Sequence, residues 1–393
     1  MANYVLSANN RYYAAIETSY GVVPAINADD RLPGIRLGIV TQKAVPARRD
    51  KSGTRTYKGS AGGARKLVAY ELETTLMASD GGNLAPPVGR LIQSALGGEP
   101  QLSYPQDGTL AADGVSVGFT AAHGLNEGSA ITIGRELRFV ETVLSATSVQ
   151  LCAPVSTPSG PVNVLPAASF APANNLPSLS LFDYWDPTTG VQRVLRGAGV
   201  DEMQIRVDGH EHGFLFRGPA AELIDSASWR ESAASSLGGL AQFPAEPATV
   251  AATWSPVPGQ LGEVWLGSTP SKVLTLTKAL IQVKNNIETR NFELGSMQPL
   301  ALSPGSREVD LQFEVYCTDA SIFAELYHAA QNDAPVPLTL QLGNRPGAMA
   351  AVYVKSFVPQ VPQYDDSENQ LLWHFSASRA QGSGDDEIYV AVG

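Results

Sequence analysis

The triplet His210-Glu211-His212 has the residue types and spacing of a metal site. Side chains two positions apart on an extended strand point to the same face, and imidazole nitrogens are common metal ligands. A complete site would need a nearby carboxylate, but the next acid in the chain, Glu222, follows Pro219. Asp208-Gly209, directly before the triplet, is typical of a hairpin turn. We therefore interpret the two histidines as exposed turn residues and expect neither a metal nor another cofactor.

Carboxylates form two clusters near the end of the chain and a pair in its first part. The clusters Asp365-Asp366-Ser367-Glu368 and Asp385-Asp386-Glu387 lack the ligand spacing of a twelve-residue calcium loop. They fit solvated turns, and the alternative is a position that faces a lumen or a contact with another subunit. Glu71 and Glu73 could form the acid pair of a glycosidase. Because they alternate with apolar residues such as Leu72, we interpret them as the polar row of a strand.

Other patterns give no sign of catalysis. Gly59, Gly62 and Gly63 lack the Lys-Ser/Thr pair that completes a phosphate-binding loop. Gly382-Ser383-Gly384 lacks the Gly-x-Ser-x-Gly spacing of a nucleophile elbow. We expect that the protein is not an enzyme.

Basic residues form one cluster, in the long segment that precedes residues 68–73. A charge run is usually a solvated face, and its functional alternative is docking onto an acidic strip such as Asp385, Asp386 and Glu387 of another copy. The cluster consists of Arg48, Arg49, Lys51, Arg55 and Lys58.

Composition limits the functional classes further. The chain has 393 residues, 27 Lys and Arg against 38 Asp and Glu, and a formal charge of −11. This is the wrong sign for tight binding to nucleic acid, although DNA could slide past such a surface without sticking. No apolar run approaches the roughly 20 residues that span a membrane, and the first residues do not resemble a signal peptide. Cys152 and Cys317 are too far apart in sequence and context to suggest a disulfide framework, and we expect both to be buried.

Short alternating segments separated by Gly and Pro predict a mainly β protein. Helical periodicity is brief, at residues 88–96 and at residues 320–331, where Thr318 or Asp319 is the expected N-cap. The predicted strands include residues 68–73, 203–207, 214–217, 309–315 and 371–377.

Residues 107–168 form a unit of their own. Four strand-like runs lie at residues 115–119, 130–133, 136–140 and 148–151, and a proline-rich exit that begins at Pro154 predicts an extended linker. We interpret the unit as a small β-barrel inserted into a first domain, residues 1–106 and 169–245. A second linker rich in Gly, Ala and Pro then leads to a second domain, residues 246–393.

The two larger domains resemble each other. Residues 68–73 match residues 309–314 at an offset of 241, with Glu73 on Glu314, and in each half a short helix follows the strand. The order of strand, helix and closing strand pair is the same in both halves. We interpret the chain as a duplicated domain.

At this point the sequence resembles the tail tube (major tail) proteins of long-tailed, siphovirus-type bacteriophages. The resemblance rests on residues 16–24 (IETSYGVVP), residues 59–65 (GSAGGAR), the helix at 88–96 and residues 380–387 (AQGSGDDE). It implies two tandem β-sandwich or barrel domains, each with one short helix. Six such domains would close a ring, as a trimer of this duplicated chain or a hexamer, and long loops such as residues 29–60 and 286–306 would contact the adjacent ring.

The resemblance also implies partners and location. Rings stack into the tube through which genome DNA passes during ejection, with a tape measure protein and with terminator and tip proteins as partners, and without membrane binding. The protein would be assembled in the host cytoplasm and reside in the virion tail. Glu71, Glu73 and Glu314 are the candidates to face the lumen. The alternative function is a phage decoration or receptor-binding β-sandwich protein.

Overall fold

The computed structural model describes residues 6–44, 51, 53–57, 59, 65–78, 88–185, 192–227, 240, 242–248, 254–290, 293–296, 298–367 and 369–393. Strands dominate, which confirms the predicted mainly β class.

The described part of the chain before residue 166 contains fifteen elements. In chain order they are β1 (Arg11–Ile16), β2 (Arg31–Leu32), β3 (Gly34–Ala44), β4 (Arg65–Thr75), β5 (Met77–Ala78), α1 (Val88–Leu96), β6 (Gln101–Leu102), β7 (Gln106–Leu110), β8 (Ser116–Phe119), β9 (Ala130–Ile133), β10 (Glu136–Ser145), β11 (Ser148–Leu151) and β12 (Gly160–Leu165), with 3-10 helices at Ser7–Asn9 and Ala28–Asp30.

The remaining elements are, again in chain order, β13 (Ala168–Phe170), β14 (Leu179–Tyr184), β15 (Gln192–Ala198), β16 (Glu202–Val207), β17 (His212–Ala220), β18 (Glu222–Asp225), β19 (Ser255–Pro256), β20 (Gly262–Leu266), β21 (Ser271–Val273), β22 (Leu276–Lys284), β23 (Glu288–Thr289), β24 (Leu302–Ser303), β25 (Glu308–Tyr316), α2 (Ser321–Gln331), β26 (Val336–Leu342), β27 (Ala350–Val358), β28 (Gln363–Asp365), β29 (Leu372–Ala380) and β30 (Tyr389–Val392).

Eight strands form one continuous antiparallel sheet, here called the eight-strand sheet, in the order β3-β4-β17-β16-β22-β25-β29-β28. Its strands alternate between polar and apolar positions, so one face is polar and the other is buried. Leu72 and Phe216 on the buried face are at most 1% exposed, whereas Glu71 and Arg217 lie on the polar face.

Two five-strand sets cover the buried face. The first has the order β2-β1-β14-β15-β18, and the second has the order β21-β20-β26-β27-β30. Apolar side chains of both sets and of the eight-strand sheet form one continuous core, which includes Leu72, Leu181, Leu311 and Leu340. The result is a sandwich in which α1 contacts β1, β14 and β16.

The same arrangement occurs twice along the chain. In the first half β1 to β4 and α1 are followed by β14 to β18, and in the second half β20 to β22, β25 and α2 are followed by β26 to β30. Each half contributes four strands to the eight-strand sheet and five strands to its cover, paired in the same order. The two hydrogen bonds that end the matched strands also correspond, from Leu76 N–H to His212 O at 2.8 Å and from Cys317 N–H to Leu371 O at 2.9 Å.

A closed six-stranded barrel, in the order β10-β11-β8-β7-β12-β9, lies between α1 and β13. Four of its strands coincide with the predicted runs. The other two, β7 and β12, were not predicted, and residues 160–165 were expected to be linker. The barrel contacts β27 of the second half, where Phe139 stacks on Tyr353 with ring centroids 5.7 Å apart.

Two further expectations differ from the structure. Residues 29–60 were expected to be a loop, but they contain the eleven-residue strand β3. The N-cap position of α2 is Ala320, not Thr318 or Asp319, and it makes no side-chain capping bond. The Thr318 hydroxyl instead accepts a hydrogen bond from the Ala320 amide at 3.4 Å.

Candidate assembly surfaces

The polar face of the eight-strand sheet carries all three acids that were candidates to face a lumen. Glu71 and Glu73 lie on β4, and Glu314 lies on β25, four strands further along the sheet. The period of two residues puts them on this face.

Cross-strand ion pairs accompany these acids. Arg217 Nε lies 2.7 Å from Glu71 Oε2, and Arg217 Nη1 lies 3.6 Å from Glu202. Lys278 Nζ lies 3.0 Å from Glu314. Acids therefore alternate with bases across the strands, and the face is polar without being uniformly acidic.

His374 completes the same cluster and was not predicted from sequence. Its Nδ1 lies 3.3 Å from Glu314 and its Nε2 lies 3.4 Å from Asp365 on the edge strand β28. Hydrogen bonds from Ser367 lower the pKa of Asp365. The contact depends on strand register, which no local pattern in the sequence reveals.

One strand pair joins the two halves. All six residues of β16 pair with β22, from Glu202 opposite Lys284 to Val207 opposite Ala279. In the order of the sheet, β16 is the last strand of the first half and β22 is the first strand of the second half. Their antiparallel pairing makes the sheet continuous across the two halves.

The two ends of the eight-strand sheet are free edges in the described chain. β3 pairs with β4 and with no other described strand, and β28 likewise pairs with β29 alone. Ile35 and Val40 on β3 are 54% and 57% exposed, and Tyr364 on β28 is 58% exposed. Unpaired edges with exposed apolar side chains are sites for pairing with another chain.

A family model described as phage tail tube protein matches residues 7–392. The chain belongs to the phage tail tube protein family. A search of curated proteins finds no match.

Membership gives the tail tube chain a structural role in the virion tail and implies assembly into a tube. No helix in the described part of the chain is long and apolar enough to cross a membrane. No group of three or more His, Cys, Asp or Glu side chains that could hold a metal occurs among the described residues.

The acidic cluster near the end of the tail tube chain is engaged within its own subunit. Arg307 Nη1 lies 2.7 Å from Glu387 and 3.3 Å from Asp385. Asp386 accepts hydrogen bonds from the amides of Ser383 and Gly384, at 2.7 and 3.1 Å, which lower its pKa against the opposing effect of burial. These three acids were candidates for a contact with another subunit, and Arg307 was not foreseen as the partner of Asp385 and Glu387.

The basic candidates are less fully described. Arg48, Arg49 and Lys58 lie outside the described residues. Lys51 and Arg55 are exposed.

The two histidines of the 210–212 triplet differ in exposure, although both were expected to be exposed. His212 is 1% exposed, and its Nε2 lies 2.9 Å from the carbonyl oxygen of Leu261, so Nε2 carries the proton. Burial lowers the pKa of His212. His210 is exposed as expected. The prediction failed for His212 because Leu261, which binds its ring, lies 49 residues later in the chain.

A buried ion cluster fixes the barrel to the second half. Arg138 is fully buried, pairs with Glu136 at 3.0 Å and with Glu263 of β20, and donates to Gln341 Oε1 at 2.8 Å. Burial raises the pKa of Glu263, but the charge of Arg138 and a hydrogen bond from Lys272 outweigh it and hold the pKa below its usual value. No local sequence pattern indicates this cluster, because its members lie on strands far apart in the chain.

The two cysteines differ from each other. Cys152 is 5% exposed, as expected, and burial raises the pKa of its thiol. Cys317 is only half-buried, which corrects the expectation that both are core residues.

Proposed function

We propose that copies of the chain join head to tail through the two free edges of the eight-strand sheet, close into rings, and stack into the tube that conducts genome DNA. The supporting observation is the β16–β22 junction, because it is a working example of the same contact inside one chain.

The internal repeat supplies the geometry of this proposal. β28 in the second half corresponds to β16 in the first. β16 pairs with β17, which pairs with β4, and β28 pairs in the same way with β29, which pairs with β25. β3 holds the place of β22, because each is the other neighbour of β4 or β25. The pairing of β16 with β22 therefore predicts pairing of β28 with β3 of the next copy.

The register follows from the same equivalence. Ile205 pairs with Ile281 within the chain, and the corresponding residues are Tyr364 on β28 and Ile39 on β3. Tyr364 would then be covered by the neighbour. Gln363 would face Val40, which is exposed on β3 in the single chain.

Closure removes the edges, which is the usual reason for a sheet to become a barrel. A head-to-tail contact that closes by rotation gives a ring. Three chains supply the six domains per ring that the resemblance implies. This count is part of the proposal, together with the division into a discontinuous first domain (1–106 and 169–245), an inserted barrel (107–168) and a second domain (246–393).

The polar face of the closed sheet would line the lumen, with Glu71, Glu73 and Glu314 among its residues. Alternating charges support passage of DNA without tight binding, since few counterions are released on contact. Further parts of the proposal are contacts with a tape measure protein and with terminator and tip proteins, assembly in the host cytoplasm, and the absence of catalysis.

Electron microscopy of the purified protein tests the proposal. Wild-type protein should form rings or tubes with six lobes and three chains per ring. Tyr364→Glu should prevent rings, because it places a charge in the covered junction. Tyr104→Glu is the matched control, since Tyr104 is 65% exposed and lies outside the eight-strand sheet. A wild-type protein that stays monomeric at high concentration, or a Tyr364→Glu protein that assembles normally, would contradict the proposal.

A further inference from the structure

A segment that joins the two halves covers one end of the first half. Ser255 and Pro256 pair with Ala78 and Met77. The Val257 amide then donates to the carbonyl oxygen of Leu76 at 3.0 Å, and the Val257 side chain is 5% exposed. Residues 254–261, here called the crossing segment, thus pair with β5 and Leu76, directly beyond the end of β4.

The crossing segment fits closely. The Gly259 amide donates to His210 O at 3.0 Å. A Cβ on Gly259 would lie 2.4 Å from the His210 carbonyl carbon, so a side chain there would collide with the backbone. His212 Nε2 holds Leu261 O at 2.9 Å. This end of the first half is therefore closed by a specific contact.

The equivalent end of the second half is open. Cys317 there corresponds to Leu76, because both amides donate to the start of the equivalent strands β29 and β17. Whereas the Leu76 carbonyl accepts from Val257, no described residue donates a hydrogen bond to the Cys317 carbonyl. Leu274 and Leu371 at this end are 83% and 41% exposed. The apolar end lacks a cover in the described chain.

The repeat identifies the missing cover. The crossing segment leads into β20, and the strand that corresponds to β20 is β1. Tyr12 of β1 pairs with Leu32 as Val264 of β20 pairs with Val273. The residues before β1 are therefore the counterpart of the crossing segment.

The sequence of this counterpart suits the role. Val5 stands seven positions before Tyr12, as Val257 stands seven positions before Val264, and it is flanked by Tyr4 and Leu6. Residues 1–5 lie outside the described residues, while Leu6 is 61% exposed in the single chain. An apolar segment and an open apolar end are thus both present, in different places on one chain.

We infer that residues 1–10 of one copy bind across the open end of the second half of the neighbouring copy, beside Cys317, Leu371 and Leu274. The inference rests on the proposed ring. If β28 pairs with β3 of the next copy as β16 pairs with β22, then β1 of the next copy lies beside the second half as β20 lies beside the first half. The N-terminal segment then spans every junction between subunits, as the crossing segment spans the junction within a subunit.

Disulfide trapping tests this contact with the native Cys317. Val5→Cys takes the position of Val257, which lies opposite the residue equivalent to Cys317. Directly opposed residues in antiparallel pairs have Cβ atoms about 4.5–5.5 Å apart, close to the separation of a disulfide. Assembled Val5→Cys protein treated with diamide, which takes up the two thiol hydrogens, should give covalent dimers and trimers on non-reducing electrophoresis. Leu6→Cys serves as a second variant if Val5→Cys fails to fold.

Two controls define the result. Val5→Cys combined with Cys317→Ser should give no covalent oligomers, since the partner thiol is gone. Val22→Cys, an exposed residue at 54% beyond β1, should give none either.

The outcomes separate the two proposals. Rings that form without a Val5–Cys317 crosslink would overturn the inference and leave the ring intact. A crosslink within one chain, seen as a faster monomer band, would also overturn it. If no rings form in the wild type, the ring and the inference fail together.

Discussion

Glu71 and Arg217 form an ion pair across β4 and β17, with Nε 2.7 Å from Oε2. Glu202 on β16 approaches the same guanidinium, and Lys284 stands opposite Glu202 on β22. The row thus continues with alternating signs through the junction of the two halves. The net charge of −11 is consequently not concentrated on this face.

Reversing the charge of the predicted lumen residues should create DNA binding. The triple variant Glu71→Lys, Glu73→Lys and Glu314→Lys removes three acids and adds three cations on one face, so assembled tubes should bind a short labelled duplex. The affinity should fall with salt, with a log–log slope of about −0.9 for each phosphate contact. Fluorescence anisotropy measures both quantities.

The triple Gln variant at the same positions is the control for charge removal alone. It should bind DNA no better than the wild type. Equal DNA binding by the Lys variant and the wild type would show that these residues do not meet the DNA.

Replacing Arg138, the buried cation between the barrel and the second half, should lower the free energy of unfolding more than a substitution at an exposed position. Arg138→Met removes the cation that Glu136 and Glu263 share in a buried site, and loss of one member of a buried ion pair costs about 3–5 kcal/mol. Glu263 keeps Lys272 as a partner, so we expect the lower end of this range. Thermal unfolding should show a clear fall in Tm.

Arg135→Ala is the matched control, because Arg135 lies in the turn between β9 and β10, three residues before Arg138, and is exposed. Its change in stability should stay within about 0.5 kcal/mol. Similar small effects for Arg138 and Arg135 would mean that the barrel contact contributes little.

Alternation of polar and apolar residues was sufficient to predict the strands in which it is strict. Residues 309–315 and 203–207 alternate strictly and lie in strands β25 and β16 as predicted. β12 was missed because it begins with Gly160-Pro161, which resembles linker sequence. Pro161 is tolerated there opposite Thr109 on β7.

The candidate site was predictable only in part, for a related reason. A period of two residues places Glu71 and Glu73 on one face without further information. Their partners depend on register between distant segments, since Arg217 is 146 residues from Glu71. The burial of His212 depends in the same way on Leu261, which lies 49 residues further along the chain.

Glu17 should be a major determinant of stability in the first half. Its carboxylate is 6% exposed and accepts hydrogen bonds from the amides of Gly21 and Gly197, at 2.6 and 2.8 Å. The hydroxyls of Ser178 and Ser180 donate to it as well, at 2.7 and 2.6 Å. Glu17→Ala leaves these four donors unsatisfied, and we expect a loss of about 3 kcal/mol or more.

Denaturant unfolding and amide hydrogen exchange check this expectation. Exchange should accelerate at Gly21 and Gly197. Glu99→Ala is the control, because Glu99 accepts a single side-chain hydrogen bond, from Gln93 at 3.0 Å, and should cost little. A loss below about 1 kcal/mol for Glu17→Ala would contradict the role of the carboxylate.

His212 should make stability depend on pH below neutrality. Burial lowers its pKa in the folded chain, so the unfolded chain binds a proton that the folded chain does not, below about pH 6.5. The stabilisation is then fully present above the unfolded pKa and falls as the pH decreases, by at most about 1.4 kcal/mol per pH unit.

Urea unfolding at pH 7.5, 6.5 and 5.5 should show this loss of stability in the wild type. His212→Gln keeps a donor for Leu261 O without titrating, so its curve should be flatter, whereas His328→Gln, at an exposed position, should behave as the wild type. Parallel curves for wild type and His212→Gln would show that another group sets the acid sensitivity.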